Sequence, residues 1–325
     1  MDKMKNKHLM KDFGLLLIFL VLVIALSVIS GGKFANAKNF INVLKQTSVN
    51  GILAMGMLFV ILSDGIDLSV GSIVGLSGVV ACMCAHPAAT GATTGAGQYP
   101  FLVPILAALL VGALVGVFNG VGIAYGGIPP FIVTLGSMTI VRGLALIVSG
   151  GSPVFDVTAK FEKIASGKLA GIPYLAFYLV IIVAICAFIL NKTIFGRRIY
   201  AIGGNQTAAE VSGINVRRLR VAVYTISGVL AGLAGLLVAS RTITGSPTAG
   251  QSYEMDAIAA VVIGGVSMSG GSGKWHGVVI GALMLAVISN GLDILRVNSN
   301  FQLIIKGFII IFAVLMDIRG KGKKA

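Results

Sequence analysis

Residues 191–220, NKTIFGRRIYAIGGNQTAAEVSGINVRRLR, interrupt a chain that is otherwise almost entirely apolar. The stretch carries six of the 25 Lys and Arg residues, and glycines at 196, 203, 204 and 213. Apolar runs flank it on both sides, long enough as helices to cross a hydrocarbon core of about 30 Å. A polar island between such runs defines an all-α polytopic membrane protein that presents one internal segment to water.

Composition outside the island agrees. The chain is 56% hydrophobic and 11% charged, against the roughly 25% charged residues of a soluble domain. Its 44 glycines suit close helix packing in lipid, where small residues let backbones approach. Hydropathy predicts ten spans at 14–30, 43–62, 69–86, 101–124, 130–149, 174–190, 221–239, 256–272, 275–290 and 302–317. No small-residue cleavage site follows the first run, so 14–30 reads as a retained span in a single transmembrane domain covering 1–325.

The net charge of +14 is distributed as a membrane topology signal and not as a nucleic-acid footprint. With both termini cytoplasmic, fifteen Lys and Arg fall on inside segments, against eight on outside segments and their borders. That bias places the basic tails 1–13 and 318–325 and the island at 191–220 in the cytoplasm. Cys82, Cys84 and Cys186 lie inside apolar runs and read as small core residues.

The two halves echo each other. Asn119-Gly120 is followed by Phe131 and Gly136, and Asn290-Gly291 by Phe301 and Gly307. Upstream, Asp67 and Asp256 each open a Gly-rich apolar run. A five-span repeat has an odd number of crossings, so its second copy enters the membrane upside down. Inverted repeats of this kind are a common transporter architecture.

Several segments carry chemistry. In SDGIDLSVG (63–71), Asp64, Asp67 and Ser69 sit at a break between apolar runs. A carboxylate at membrane depth costs about 2.5–3.5 kcal/mol unless it faces protein or water. Asp67 either caps the following helix through the amides near Ser69 and Val70 or faces a transport cavity. GIPPFIVTLG (127–136) marks another break and contributes Thr134; beyond it Arg142 either snorkels outward or lines a polar pathway, and Lys306 is expected to snorkel. With Asn119 and Asn290, these make a candidate pathway set of Asp64, Asp67, Ser69, Thr134, Arg142, Asn119 and Asn290.

Catalytic and nucleotide chemistry finds little support. GGSGKWHG (270–277) lacks the first glycine and the Ser or Thr of a phosphate loop, since Met268 and Trp275 occupy those places. His8, His86 and His276 are far apart, with no zinc spacing and no nucleophile elbow. The expectation is a chain without a metal or other cofactor of its own.

Within the island, Ala208-Ala209-Glu210-Val211-Ser212-Gly213 is helix-prone, ends on a glycine and lies between two basic clusters. Thr207 and Glu210 have the spacing of a capping box, which predicts a short docking helix over 206–213.

Taken with GIDLSVGSIVGL (65–76), PFIVTLGSMTIVRGLALIVSGGSPV (130–154) and SPTAGQSYEMDAIAAVVIGGVSMSGG (246–271), the segment FGRRIYAIGGNQTAAEVSGINVRRLR (195–220) resembles the membrane permease subunits of monosaccharide ABC importers, ribose-type group. The resemblance runs from about residue 40 to residue 318. It implies a cobalamin-importer-like fold, with ten helices per subunit and two subunits, expected to be a homodimer, around one pathway. It also implies a bacterial plasma (inner) membrane location, a cytoplasmic ATPase with tandem nucleotide-binding domains that holds ATP and Mg, and an extracytoplasmic sugar-binding protein. The family's coupling loop corresponds to Gly203, Gly204, Asn205, Ala208, Ala209 and Gly213. Glu210 follows the alanines here instead of preceding them, so the order differs from that of other importers. Ribose is the expected sugar, with galactose and xylose as alternatives. The competing classes are an ion-coupled secondary transporter, which needs carboxylates deep in its spans, and a membrane enzyme, which needs a catalytic cluster.

Overall fold

The computed structural model describes residues 2–87 and 98–322, with side-chain placements for 14–87, 98–315 and 319. Most of the basic tails 1–13 and 318–325 therefore lies outside the described side chains. The first half opens with helices α1 (Asp2–Ile29), α2 (Ala37–Leu62), α3 (Val70–Cys84), α4 (Leu102–Ala124) and α5 (Pro130–Val148). A short α6 (Ala159–Ser166) and a two-residue ribbon, β1 (Lys168–Leu169) with β2 (Ile172–Pro173), lead into α7 (Tyr174–Lys192). Then come α8 (Ile194–Gly204), α9 (Gln206–Val211), α10 (Val216–Thr242), α11 (Tyr253–Ile263), α12 (Trp275–Ile294) and α13 (Ser299–Gly322).

Each predicted span contains a helix, but the helices are unequal. Among the described residues, six are long and apolar enough to cross a membrane: α2, α4, α5, α7, α10 and α12. The predicted span 256–272 is corrected most. Its helix, α11, is only 11 residues, about 17 Å at roughly 1.5 Å per residue, and 264–274 is irregular. The cause is local: Gly265, Gly270 and Gly271 adopt positive φ, which glycine reaches without a Cβ clash. α3, at 15 residues, is short as well.

α2 and α10 occupy the centre and pack on each other. Around them the contacts exchange in pairs. α4 packs on α10 as α12 packs on α2, and α3 on α10 as α11 on α2. α3 meets α4 and α5 as α11 meets α12 and α13. Small residues set these approaches. A Cβ on Gly112, Gly116 or Gly120 of α4 would strike the backbone of α10, and one on Gly277 or Gly281 of α12 would strike α11.

The two short helices begin side by side and run to opposite faces. Gly71, second in α3, leaves room only for the Glu254 carboxylate and the Gly250 carbonyl, and Glu254 is second in α11. α3 ends near Gly245, which bridges to Val154. α11 ends near the 264–274 loop, where the Gly271 amide donates to the Leu62 carbonyl (3.0 Å) beside Gly203.

Candidate functional site

The polar island folds into helices α8 and α9 and the first turn of α10. Thr193 caps α8, accepting from the Gly196 amide (3.2 Å). Asn205 ends α8 and caps α9, its Oδ1 accepting from the Ala208 amide (2.9 Å). The cap is thus Asn205 and not Thr207, because only Asn205 has the extended backbone of an N-cap position. Glu210 accepts from the Gln206 amide group (2.9 Å), which in turn accepts from Arg220 (2.8 Å), so no capping box forms. α9 stops at Val211. The Gly213 amide donates to Glu210 and the Ile214 amide to Ala209, with Gly213 at φ +81°, which is a Schellman ending.

This geometry divides the six island residues. Gly204, Asn205, Ala208 and Gly213 are exposed. Ala209 is buried. Gly203 faces inward, where a Cβ would strike the Leu62 carbonyl and the Gly271 amide. The Tyr200 hydroxyl donates to the Gly273 carbonyl (2.9 Å) on the same joint, and burial pushes its phenol up, so it remains a donor. Val211, absent from the sequence-predicted set, stands 86% exposed at the end of α9. The sequence offered no signal for it, because only the fold shows that this valine faces outward.

A second cluster lies where the two short helices meet. Asp67 is fully buried. Its Oδ1 accepts from the Ser69 amide (3.0 Å) and the Ser69 hydroxyl (2.6 Å), and its Oδ2 from the Ser227 hydroxyl on α10 (2.9 Å). Ser69 also accepts from Asn119 Nδ2 (2.8 Å). Asp67, Ser69 and Asn119 therefore form one buried knot at the start of α3, with Asp67 making the expected contact to the Ser69 amide. Asp64 lies apart from the knot, exposed, at φ +60°.

Arg142 does not snorkel. From α5 its Nη1 donates to the carbonyls of Pro247 and of Ala249 (3.0 Å to the latter), and its Nη2 to the Gly71 carbonyl (3.3 Å). The guanidinium so ties the loop 243–252 to α3. Non-glycine residues at positive φ bracket that loop, Ile243 at +57° and Ser252 at +66°; each costs about 1–3 kcal/mol, which this pinning offsets. Lys306 does not snorkel either: its Nζ lies 3.0 Å from both carboxylate oxygens of Asp256. A buried charge is tolerable only when paired in this way.

The remaining predicted residues lie elsewhere. Asn290 is buried and accepts from Asn39 (2.8 Å), joining α12 to α2 far from the knot. Thr134 is buried and bonded to its own helix through Pro130 O (2.8 Å). Arg142 also lines a cavity of about 550 Å³, together with Ser72, Thr139, Thr248, Gln251, Ser252 and Glu254 and the less polar Met138, Gly143 and Leu146.

Small residues between closely packed spans, two short helices meeting inside the bundle and a short capped helix on one face fit a membrane transport subunit. The chain belongs to the family described as branched-chain amino acid transport system / permease component, which matches residues 39–314. It is similar to the ribose import permease protein RbsC of Bacillus subtilis (strain 168), 44% identical over 95% of this chain and 93% of the relative. The ribose import permease protein RbsC of Haemophilus influenzae (strain ATCC 51907) is 42% identical over 97% of each. The galactose/methyl galactoside import permease protein MglC of Salmonella typhimurium (strain LT2) is 41% identical over 95% and 94%. No solved structure matches the chain.

Proposed function

We propose that this protein is the membrane permease of an ATP-driven importer for a monosaccharide, ribose first. Hydrolysis takes place on a separate cytoplasmic ATPase with tandem nucleotide-binding domains, and the sugar arrives on an extracytoplasmic binding protein. The chain itself makes no covalent change to the sugar and holds no cofactor. On this reading it sits in the bacterial plasma (inner) membrane with α8, α9 and both termini in the cytoplasm. It pairs with a second permease subunit in a cobalamin-importer-like arrangement of ten helices each. The exchange of helix contacts between the halves supports an inverted repeat about the junction of α3 and α11.

The observation that carries the reading is the joint at Gly203. A docking helix on one face is seated through α8 against the C-terminal end of α2 and the 264–274 loop. Those two segments lead into α3 and out of α11, so a push on α9 reaches both half-helices. The exposed Ala208 and Val211 supply apolar contact for a partner, and Arg197, Arg198, Arg217 and Arg218 surround them with positive charge. In contrast, a secondary transporter gives this docking helix no task.

The family description names amino acids, while the relatives at 41–44% identity are named as sugar import permeases, which supports a sugar cargo. The charges agree with them. The start of α3 already has Asp67, and the first turn of α11 already has Glu254 and Asp256. Helix N-termini satisfied by the chain's own carboxylates have little left for an anionic substrate. The test is uptake of radiolabelled ribose into proteoliposomes holding the permease, the ATPase and the loaded binding protein. Uptake that requires ATP is expected. Uptake by the permease alone under a proton or sodium gradient would replace this reading with the secondary transporter.

A further inference from the structure

The cavity beside Arg142 has the size of a small-molecule site, within the roughly 300–1,000 Å³ typical of such pockets. Its chemistry is specific. Thr139 from α5, and Thr248, Gln251 and Ser252 from the pinned loop, bring three hydroxyls and a primary amide to one space. Thr139 donates to the Leu135 carbonyl (2.9 Å) and so offers its oxygen as an acceptor, and Thr248 shares a bond with Ser246 (3.1 Å). Gln251 is exposed into it, and among the described residues its amide has no hydrogen-bond partner. The two charged groups on the wall are already committed. Arg142 spends Nη1 and Nη2 on three backbone carbonyls, and Glu254 lies against Gly71 and within the field of Arg142. A cation would meet the guanidinium as well as the carboxylate, and an anion the carboxylate as well as the guanidinium, so neither sign of charge has a wall of its own. A neutral molecule rich in hydroxyls meets donors and acceptors at each wall, with Met138 and Leu146 left for its C–H face.

We infer that this cavity is a polyol subsite on the transport path, in which Gln251 and Thr139 bond the hydroxyls of the passing sugar while Arg142 acts as a positioning residue for the loop that carries Gln251. The inference rests on the importer reading and deepens it. Its position at the meeting point of α3, α5 and α11 suits a transient site. Any movement of the half-helices changes the spacing between Thr139 and Gln251, so the same motion that opens a path also loosens the hold.

The experiment uses the reconstituted complex of permease, ATPase and ribose-loaded binding protein, with wild type, Gln251→Leu and Thr139→Val compared. The readout is sugar moved per ATP hydrolysed, a ratio that the binding protein's own selectivity does not set. Loss of one hydrogen bond in the passing state should lower that ratio by about fivefold to tenfold in each variant, with hydrolysis and complex assembly unchanged. Thr139→Val keeps shape and lies on a rigid helix, so it tests the site even where Gln251→Leu disturbs the loop. Wild-type ratios in both variants overturn the subsite and leave the importer reading intact. A wild-type complex that moves leucine and no monosaccharide overturns the monosaccharide cargo of the importer reading, and the polyol assignment falls with it.

Discussion

Asp67 shows how a single side chain fixes the start of an element. Its carboxylate gathers one amide and two hydroxyl donors, all buried, and it ties α3 to α10 through Ser227. Asp67→Ala orphans the Ser69 amide, which has no means of turning toward another acceptor, at a cost of about 1–3 kcal/mol. The thermal midpoint of the detergent-solubilised protein should fall by a few degrees. An unchanged midpoint would mean that the knot contributes nothing to folding. The contact to Ser69 was legible from a carboxylate two residues before a Gly-rich run. The Ser227 and Asn119 contacts were not, because they come from residues 160 and 50 positions away. Arg142 and Lys306 teach the same lesson: sequence leaves a membrane cation free to snorkel or to pair, and only neighbouring backbone or carboxylate decides.

At the scale of elements, the island changes from a loop into a pair of helices joined at Asn205. α9 has six residues, too few to be stable alone; the Asn205 cap, the Schellman ending and the packing of Ala209 hold it. Its outward apolar contact is Val211, so Val211→Asp should weaken binding to the ATPase at least tenfold, read by titration in detergent, with the permease still folded. Equal binding would move the docking surface elsewhere. Gly203 acts in the opposite direction, toward the membrane. Gly203→Val forces α8 away from Leu62 and Gly271, and is expected to keep ATPase binding and lower sugar uptake per ATP. Loss of binding with retained coupling would reverse these two roles. The short helix was legible from its alanines and terminal glycine. The division of its residues into inward and outward was not, since Gly203 and Gly204 are neighbours with identical side chains and opposite surroundings.

For the whole molecule, the reading requires that α9 face the cytoplasm. Val211→Cys, in a background with Cys82, Cys84 and Cys186 replaced by alanine, should react with a membrane-impermeant maleimide only in inverted vesicles. Labelling in right-side-out cells would invert the topology and with it the site of energy input. The sequence alone determined that the chain is a helical membrane protein, where its apolar segments lie and which family it belongs to. These follow from composition, segment length and motif order, which are properties of the chain itself. The tertiary structure decided that 256–272 is a half-length helix with an irregular return, and that its start meets the start of α3. It also decided that Arg142 pins the loop between them and that Asn119 and Asn290, alike in sequence, serve different contacts. The physical reason is that hydropathy measures transfer into lipid, averaged along a segment. Whether a glycine breaks a helix or seats it, and whether a charge is paired or free, depends on atoms brought from distant positions, and hydropathy contains no record of them.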